Sequence, residues 1–300
     1  MKNQIEQLKK EKNAVILAHY YAPAEVQEVA DYVGDSFYLA KIAKQSKADI
    51  IVFCGVYFMG ESAKILNPDK KVIMPDLTAD CAMAHMVADG IIEEMRKKYD
   101  DLAVVCYINS TAALKCQSDV CVTSSNAIKI VKSLPNKNIF FIPDKNLGSF
   151  VAEQVPEKNI ILNDGCCPIH AKISAEQLLA EKAKHPNAKV LSHPECEADI
   201  LDLSDYIGST ADIITYANKS SDNEFIICTE DGVNYKLVTD NPNKKFYFPN
   251  PHPCCSDMKL NTIETVLSVL QNEDNEIIVE DSVRTCALLP LERMLEIVGK

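Results

Sequence analysis

The chain has 300 residues, 47% of them apolar, and a formal net charge of −12 at pH 7. This length allows more than one hydrophobic core, and the acidic balance argues against nucleic acid or an anionic membrane surface as the main partner. No apolar run approaches the roughly 20 residues of a membrane-spanning helix, so we expect no membrane association.

The first predicted element is a polar amphipathic helix at residues 1–14, MKNQIEQLKKEKNA. It does not resemble a secretory signal, so we expect a cytoplasmic protein whose thiols are kept reduced. Twelve cysteines in that compartment indicate metal binding, catalysis or burial before disulfides.

Short apolar runs at 13–19, 49–55 and 70–76 then predict strands. Between them, PAEVQEVADYV, SFYLAKIAKQ and MGESAKILN predict helices, with a turn at Gly34 and Ser36 as the cap of the second helix. Apolar strands between amphipathic helices are typical of a parallel sheet covered on both faces. The first part of the chain therefore predicts a small α-β-α sandwich.

A hexapeptide of this first part recurs later in the chain. DYVGDS at 31–36 is followed by DVCVTS at 119–124 and DYIGST at 205–210, so the copies are 88 and 86 residues apart. The segments around each copy match as well, which indicates a threefold repeat with a unit of about 87 residues. We expect an α/β protein with three homologous three-layer α-β-α domains, their parallel sheets arranged around a pseudo-threefold axis. The predicted domains are 1–84, 85–170 and 171–258, and 259–300 is expected to be a helical segment closing onto the first domain.

The same offsets relate three sets of polar residues: His19, Tyr107 and His193; Tyr21, Asn109 and Glu195; and Ser36, Ser124 and Thr210. The first two sets come just after the first strand of each unit. Ligands of parallel α/β sheets bind beyond the carboxyl ends of the strands. We therefore expect these polar side chains to converge on one central cavity.

Each of these sets also has a purely structural interpretation. The hydroxyls of the third set could be helix N-caps, although a helix N-terminus with a hydroxyl also suits a carboxylate or phosphate. His19 and His193 could be core histidines with satisfied hydrogen bonds. Glu195 is the best general acid/base candidate, because a dry cavity is expected to raise the pKa of its carboxyl group. The alternative is an ordinary surface carboxylate.

The offsets also relate three cysteines, Cys81, Cys167 and Cys255, each in a loop before a helix. Three thiolates at one axis would repel one another unless a cation held them. An iron–sulfur cluster normally takes four cysteines, so three would leave one iron open to act as a Lewis acid. Zinc on three thiolates and three coincident structural cysteines are the alternatives. The neighbours Cys166 and Cys254 leave a slip of one residue open.

The remaining cysteines give weaker signals. Those in apolar strand-like runs are predicted to be small buried hydrophobes: Cys54, Cys106, Cys121 and Cys228. Three others have no equivalent in the repeat: Cys116, Cys196 and Cys286. His170 follows the CCPI segment closely and is a further candidate for the wall of a cluster pocket.

Several segments together resemble the quinolinate synthase family. They are AHYYAP (18–23), DYVGDS, KILNPDKKVIMPD (64–76), CAMAH, YINST (107–111), PDKNLG (143–148), CCPIH, HPEC and CCSDMKLNT. The resemblance extends from about residue 13 to 265 and departs from the family pattern at Tyr20, where Asn is usual. It implies three α/β domains with a [4Fe–4S] cluster on one cysteine per domain, in agreement with the repeat.

The resemblance also implies a reaction and a set of site residues. The reaction condenses iminoaspartate with dihydroxyacetone phosphate, with loss of phosphate and two waters, to give quinolinate for NAD biosynthesis. An aspartate-oxidising enzyme would supply the iminoaspartate. The implied cluster ligands are Cys81, Cys167 and Cys255, and Tyr21 and Glu195 are the implied acid/base pair. The implied substrate contacts are His19, Ser36, Tyr107, Asn109, Ser124, His193, Ser209 and Thr210.

Two other functions compete with this interpretation. A zinc lyase or hydrolase could use the same three cysteines, and a non-catalytic dicarboxylate-binding protein would need neither the cysteines nor Glu195. Metal and sulfide analysis distinguishes the first from an iron–sulfur enzyme, and the effect of removing these residues distinguishes the second.

Overall fold

The computed structural model describes residues 1–299. The first unit alternates helices and strands: α1 (Lys2–Glu11), β1 (Ala14–His19), α2 (Ala24–Val29), β2 (Tyr32–Gly34), α3 (Ser36–Gln45), β3 (Ile50–Cys54), α4 (Tyr57–Leu66) and β4 (Lys71–Ile73). The second unit repeats this order: α5 (Ile91–Lys98), β5 (Leu102–Tyr107), α6 (Ala112–Cys116), β6 (Val120–Val122), α7 (Ala127–Ser133), β7 (Asn138–Ile142), α8 (Lys145–Gln154) and β8 (Asn159–Leu162).

The third unit has the same order of elements, and two helices follow it. The unit consists of α9 (Ala175–Lys184), β9 (Lys189–Ser192), α10 (Ala198–Asp202), β10 (Tyr206–Ile207), α11 (Thr210–Lys219), β11 (Glu224–Cys228), α12 (Val233–Asp240) and β12 (Lys245–Tyr247). The chain then forms α13 (Ile263–Asn272) and α14 (Asp281–Gly299). Within residues 1–299, no helix is both long and apolar enough to cross a membrane.

The three sheets share one topology. Each has four parallel strands, in the orders β2-β1-β3-β4, β6-β5-β7-β8 and β10-β9-β11-β12. Both faces are buried: along β1, Val15 and Leu17 belong to one apolar cluster, whereas Ile16 and Ala18 belong to another. The structure thus confirms the predicted α/β class with three similar α-β-α units. The numerical domain boundaries remain a prediction.

The aspartate that opens each repeated hexapeptide has a structural role. Asp31, Asp119 and Asp205 each accept the backbone N–H of a residue 15 positions earlier, namely Ile16, Val104 and Val190, at 2.8, 2.7 and 2.8 Å. The backbone N–H of each aspartate is donated back to the carbonyl of the same residue. These paired hydrogen bonds fix the start of the edge strand against the first strand of each sheet.

This contact also explains an element that the sequence pattern did not predict. PAEVQEVADYV was expected to be one helix, but α2 ends at Val29 and residues Tyr32–Gly34 form the edge strand β2. Hydrogen bonds between Asp31 and Ile16 hold the chain beside β1. Pairing with a distant strand therefore overrides the local helical periodicity.

The predicted N-caps were wrong by one or more residues. Asp35, not Ser36, caps α3 by accepting the N–H of Tyr38 at 2.8 Å. Ser209, not Thr210, caps α11, and Asn126 precedes α7. N-capping therefore does not explain the repeated hydroxyls.

The first of the last two helices packs on the first unit, and the second packs on both the first and the second unit. Helix α13 lies against α1, α2 and β3, whereas α14 lies against α4, α6, α7 and β6. Cys116 of α6 and Cys286 of α14 form a disulfide with a Cα–Cα distance of 4.8 Å. The sequence favoured metal binding, catalysis or burial over disulfides for the cysteines, and this pair is an exception. The four cysteines predicted to be buried are buried: Cys54, Cys106, Cys121 and Cys228.

Candidate active site

One cavity of about 120 Å³ lies where the three units meet. Its wall contains all of the predicted site residues except Ser209: His19, Tyr21, Ser36, Cys81, Tyr107, Asn109, Ser124, Cys167, His193, Glu195, Thr210 and Cys255. The polar residues of all three units thus converge on one cavity, as the repeat predicts.

Ser209 is committed to its helix. Its hydroxyl donates to Asp212 at 2.6 Å and accepts the N–H of the same residue at 3.2 Å, which completes the capping box of α11. Ser209 is buried and lies outside the cavity wall. Thr210 therefore lines the cavity, whereas Ser209 does not.

The three cysteines of the cavity share one local geometry. The sulfur of each receives two backbone N–H groups, from the residues two and three positions later: Met83 and Ala84 for Cys81, Ile169 and His170 for Cys167, and Asp257 and Met258 for Cys255. Burial raises the pKa of all three thiols, that of Cys81 to about 12. The paired N–H groups act in the opposite direction, because they favour the thiolate that a metal needs.

The backbone of each of these cysteines is held by a carboxylate. The N–H groups of Cys81, Cys167 and Cys255 donate to Asp80, Asp144 and Glu230 at 2.7, 3.2 and 3.0 Å. Asp144 and Glu230 are related by the repeat offset of 86 residues and lie two positions beyond β7 and β11. Neither is among the predicted site residues, although that offset was a usable signal for the pair.

The spacing of the three cysteines bears on the kind of metal they could hold. Within residues 1–299, two groups bring three candidate ligand atoms within 4.8 Å of one another, Cys167–His170–Glu195 and Glu230–Asp231–Cys254. The three cysteines do not form such a group. A single zinc ion bonded to three sulfurs at about 2.3 Å would hold them within about 4.6 Å of one another. The three sulfurs are therefore too far apart to hold one zinc ion without rearrangement.

The second of these groups, Glu230–Asp231–Cys254, already contacts a cationic side chain. Lys259 Nζ lies 2.7 Å from Glu230 and 3.2 Å from Asp231. The ammonium group neutralises part of the charge of this pair. We therefore assign Glu230 to holding the loop of Cys255, not to a second metal site.

His19 and His193 adopt the same conformation in the first and third units. The Nδ1 atom of each ring accepts the backbone N–H of the residue two positions later, Tyr21 at 3.2 Å and Glu195 at 3.3 Å. Burial is the main cause that lowers the pKa of both imidazoles to about 3. Both rings are therefore neutral at physiological pH and carry their proton on Nε2, which makes them hydrogen-bond donors.

Glu195 is a buried carboxylate in a ring of donors. Its Oε2 atom lies 2.8 Å from Nδ1 of His170, and its Oε1 atom has no partner among residues 1–299. Burial, the largest effect, raises the pKa, but His170, His193 and a hydrogen bond from Tyr107 together lower it to about 2. The predicted upward shift of this pKa was therefore wrong in direction, and Glu195 is ionised at neutral pH.

Tyr21 has the opposite protonation state. Its phenol oxygen lies 2.7 Å from the hydroxyls of both Thr210 and Thr229, and burial raises its pKa well above the usual value. The backbone is held as well, because Lys259 donates to the Tyr21 carbonyl at 2.9 Å. A Cβ atom at Gly232 would lie 2.7 Å from the Tyr21 Cα, so this contact requires glycine.

Two buried oxygens in the cavity wall are without partners among residues 1–299, Oδ1 of Asn109 and Oε1 of Glu195. They belong to the same repeat set and come from the second and third units. Buried polar atoms are normally hydrogen-bonded, so these two are available to a ligand. Within the described chain, no lysine or arginine lines the cavity.

Comparison with known proteins identifies the family. The family model described as quinolinate synthetase A protein matches residues 3–296. The chain belongs to the quinolinate synthetase A family. Its relatives include the quinolinate synthases of Fusobacterium nucleatum subsp. nucleatum, 55% identical over 299 residues and 100% of both chains, and of Clostridioides difficile, 54% identical over 97% of this chain and 96% of the relative. That of Caldicellulosiruptor bescii is 53% identical over 99% and 98%.

Tyr20 is the residue at which the sequence was expected to depart from the family pattern. Its ring packs against the apolar cluster of the third unit and lies edge-on to His19, with centroids 6.4 Å apart. Tyr20 is absent from the cavity wall. Tyr20 therefore packs against the third unit and does not line the cavity.

Two residues of the site had little or no sequence signal. His170 is buried and contacts both Cys167 at 3.2 Å and Glu195 at 2.8 Å, and only its proximity to CCPI made it a candidate. Thr229 contacts His170 at 2.9 Å. Its repeat equivalents are Gly55 and Pro143, so no hydroxyl recurs at this position.

Proposed function

We propose that this chain is a quinolinate synthase that condenses iminoaspartate with dihydroxyacetone phosphate, releasing phosphate and two waters, for NAD biosynthesis. The observation that carries the proposal is the single cavity in which three equivalent cysteines meet a ring of buried polar side chains. Family membership and the names of the relatives support the same reaction.

The cofactor of this proposal is a [4Fe–4S] cluster on Cys81, Cys167 and Cys255. Two observations support the fit. Each sulfur faces two backbone N–H groups, and the three sulfurs are spaced too widely for one zinc ion. When bound, the cluster supplies an open iron that acts as a Lewis acid toward a substrate oxygen or nitrogen. Binding also requires the three thiols to lose their protons.

Neutral donors hold the anionic groups of the substrates. Ser36 and Thr210 are the first residues of α3 and α11, where free backbone N–H groups and the helix dipole favour a carboxylate or phosphate. The hydroxyl of Ser36 makes no hydrogen bond to other residues of the described chain 1–299. His19 and His193 donate from Nε2, and Asn109 donates from its amide. Such a site binds anions without a cationic side chain in the cavity wall.

The acid/base roles follow from the resting protonation states. Glu195 is ionised and is the base that takes a proton from substrate carbon or nitrogen. Tyr21 is protonated and is the acid that delivers a proton to a carbonyl or departing hydroxyl oxygen. The side chain of Glu195 is buried and that of Tyr21 is half-buried, so bulk water competes poorly for these protons.

The proposal is tested by assaying protein that has been purified and reconstituted without air. Iminoaspartate would be generated in the assay by an aspartate-oxidising enzyme, with dihydroxyacetone phosphate added. We expect quinolinate and phosphate to appear in equal amounts. Cluster-loaded protein that binds dicarboxylates but releases neither product would overturn the proposal in favour of a binding protein.

A further inference from the structure

In the first and second units, the loop after the first strand is held by a buried side chain on the helix that follows it. In the first unit, Gln27 of α2 donates from Nε2 to the carbonyl of Ala22 at 2.8 Å. In the second unit, Lys115 of α6 donates from Nζ to the carbonyl of Ser110. Both contacts join residues five positions apart, and the repeat offset of 88 relates both the donors and the acceptors. The two units therefore use equivalent positions to fix equivalent loops.

Gln27 holds the backbone on both sides of Tyr21. Its Nε2 atom also lies 2.9 Å from the carbonyl of Tyr20 and 3.2 Å from the carbonyl of Gly232 in the third unit. Three acceptors around Nε2 fix the orientation of the amide, because the side-chain oxygen would meet only other oxygens in that place. The carbonyl of Tyr21 itself accepts from Lys259 at 2.9 Å. Gln27 lies outside the cavity wall, so it acts on the cavity only through this backbone.

Lys115 carries a charge that is fully buried. Its side chain has no exposed surface, and Nζ lies 5.4 Å from the centre of the ring of Phe58, which is part of the cavity wall. A buried ammonium group is costly unless acceptors and aromatic faces compensate for its charge. The carbonyl of Ser110 is its only hydrogen-bond acceptor within residues 1–299. Asn109 directly precedes Ser110, so the contact that compensates for the charge also fixes a residue of the cavity wall.

The third unit lacks this donor and holds its loop in another way. Leu201 of α10 occupies the position equivalent to Gln27 and Lys115. The carbonyl of Glu195 instead accepts from Nδ2 of Asn146, a buried residue of the second unit, at 3.0 Å. Each of the three loops thus has a buried nitrogen donor behind it, although only two of the donors are equivalent.

We infer that Gln27 and Lys115 are positioning residues of the active site, which fix Tyr21 and Asn109 through the backbone. The inference rests on the proposed quinolinate synthase activity. Tyr21 is the proposed acid, so loss of the Gln27 amide misplaces a reacting group and slows turnover. Asn109 is a proposed substrate contact, so loss of the Lys115 ammonium group weakens substrate binding. The two donors therefore affect different kinetic constants, which a general loss of stability does not explain.

Gln27→Met and Lys115→Met test the inference, because methionine is similar in length and removes the donor. In cluster-loaded protein we expect Gln27→Met to lower kcat by about 10- to 100-fold, with KM for both substrates within about 3-fold of wild type. Lys115→Met should raise KM for at least one substrate by about 10-fold, with kcat within about 3-fold. Both variants should keep the iron content of wild type. Wild-type constants in both variants, or the same change of kcat and KM in both, would overturn the inference.

Lys115→Gln is the matched control, because the first unit already has glutamine at this position. It should keep the wild-type KM, and so should Lys132→Met, which removes an exposed lysine of the same unit. A folded Lys115→Gln variant with the raised KM of Lys115→Met would contradict the role of a donor at this position. If Lys115→Met does not fold, Lys115→Gln and Gln27→Met decide the question by the same measurements.

Hydrogen exchange followed by mass spectrometry gives a result that does not depend on the reaction. The backbone N–H groups at 20–22 are hydrogen-bonded, as are those of Ile108 and Ser110 in the second loop. We expect faster exchange at 108–111 in Lys115→Met and at 20–22 in Gln27→Met, each with the other loop unchanged. Unchanged exchange in both loops contradicts the inference even if the wild-type chain makes no quinolinate. Absence of quinolinate from wild-type protein, with these local changes present, counts against the proposed reaction alone.

Discussion

Glu195 is buried and Tyr21 is half-buried, and their surroundings hold them in opposite protonation states. Burial raises the pKa of the Glu195 carboxyl group, but the electrostatic effects of His170 and His193, together with hydrogen bonds from His170 and Tyr107, lower it to about 2. Tyr21 contacts two neutral hydroxyls, and burial raises its pKa well above the usual value. The same cavity thus contains an ionised carboxylate that can accept a proton and a protonated phenol that can donate one.

Replacing either residue should slow turnover without removing the cofactor, since neither is a proposed ligand. We expect Tyr21→Phe and Glu195→Gln to lose activity by about 10²- to 10⁴-fold, the usual contribution of a general acid or base. The brown chromophore should remain, and added substrates should shift its spectrum because an unfinished intermediate accumulates. Near-normal quinolinate formation by Glu195→Gln would refute the acid/base role.

The buried histidines predict a pH dependence of stability. His19 and His193 have a folded pKa of about 3, below the usual value of 6.5. The unfolded chain therefore binds more protons below pH 6.5, so this stabilisation is present above pH 6.5 and is lost as the pH falls toward 3. Between pH 7.5 and 5.5 we expect a loss of about 1 kcal/mol per histidine in the free energy of unfolding.

Urea denaturation of protein without the cluster checks this prediction. The double variant His19→Gln/His193→Gln should show a weaker pH dependence than wild type over that interval. His252→Gln is the matched control, because His252 is exposed and should leave the dependence unchanged. An unaltered pH dependence in the double variant would mean that these rings do not carry the effect.

The residues of the cavity wall could be predicted from the sequence wherever they occupy equivalent positions of the repeat. Every predicted residue but Ser209 lines the cavity, because equivalent positions of equivalent units face one point. The protonation state of Glu195 was not predictable, since it depends on His170, which lies outside the sets of residues that the repeat relates. Thr229 was equally inaccessible, because neither its type nor its repeat equivalents mark it.

At the scale of elements, helix α3 provides the sharpest contrast between pattern and structure. The sequence pattern indicated Ser36 as the cap, whereas the side chain of Asp35 makes the capping hydrogen bond. Both residues are good caps by type, so local preference alone could not choose between them. Pairing of β2 with β1 sets where the chain turns and decides the choice.

The contrast predicts different costs for two neighbouring substitutions. Asp35→Ala should lower the free energy of unfolding by about 1 kcal/mol, because the N–H of Tyr38 loses its acceptor. Ser36→Ala should change it by less than about 0.5 kcal/mol, as expected of a residue without this contact. Urea denaturation of both variants measures the difference. If Ser36→Ala lowered the free energy of unfolding more than Asp35→Ala, Ser36 would be the capping residue.

At the scale of the whole molecule, the repeat predicted the architecture and the convergence on one cavity. Parallel pairing, strand order and burial of both sheet faces follow from the spacing of apolar runs and helices. The packing of α14 on α6 and the Cys116–Cys286 disulfide lie outside the repeat. No equivalent positions existed from which to infer them.

The assignment of one cysteine per unit gives paired controls, because two of the three have a cysteine neighbour. We expect Cys81→Ala, Cys167→Ala and Cys255→Ala each to abolish cluster assembly. Cys166→Ala and Cys254→Ala should leave it largely intact, since both side chains lie outside the cavity wall. Iron content after anaerobic reconstitution is the measurement. Normal content in Cys167→Ala with loss in Cys166→Ala would show that the neighbour is the ligand.

The central claim is that three equivalent cysteines hold one iron–sulfur cluster at the meeting point of three units. Iron and acid-labile sulfide content of wild-type protein purified without air tests it most directly. We predict a brown, oxygen-sensitive protein with about four iron and four sulfide per chain. Colourless protein with stoichiometric zinc, and neither iron nor sulfide after anaerobic reconstitution, would contradict the claim.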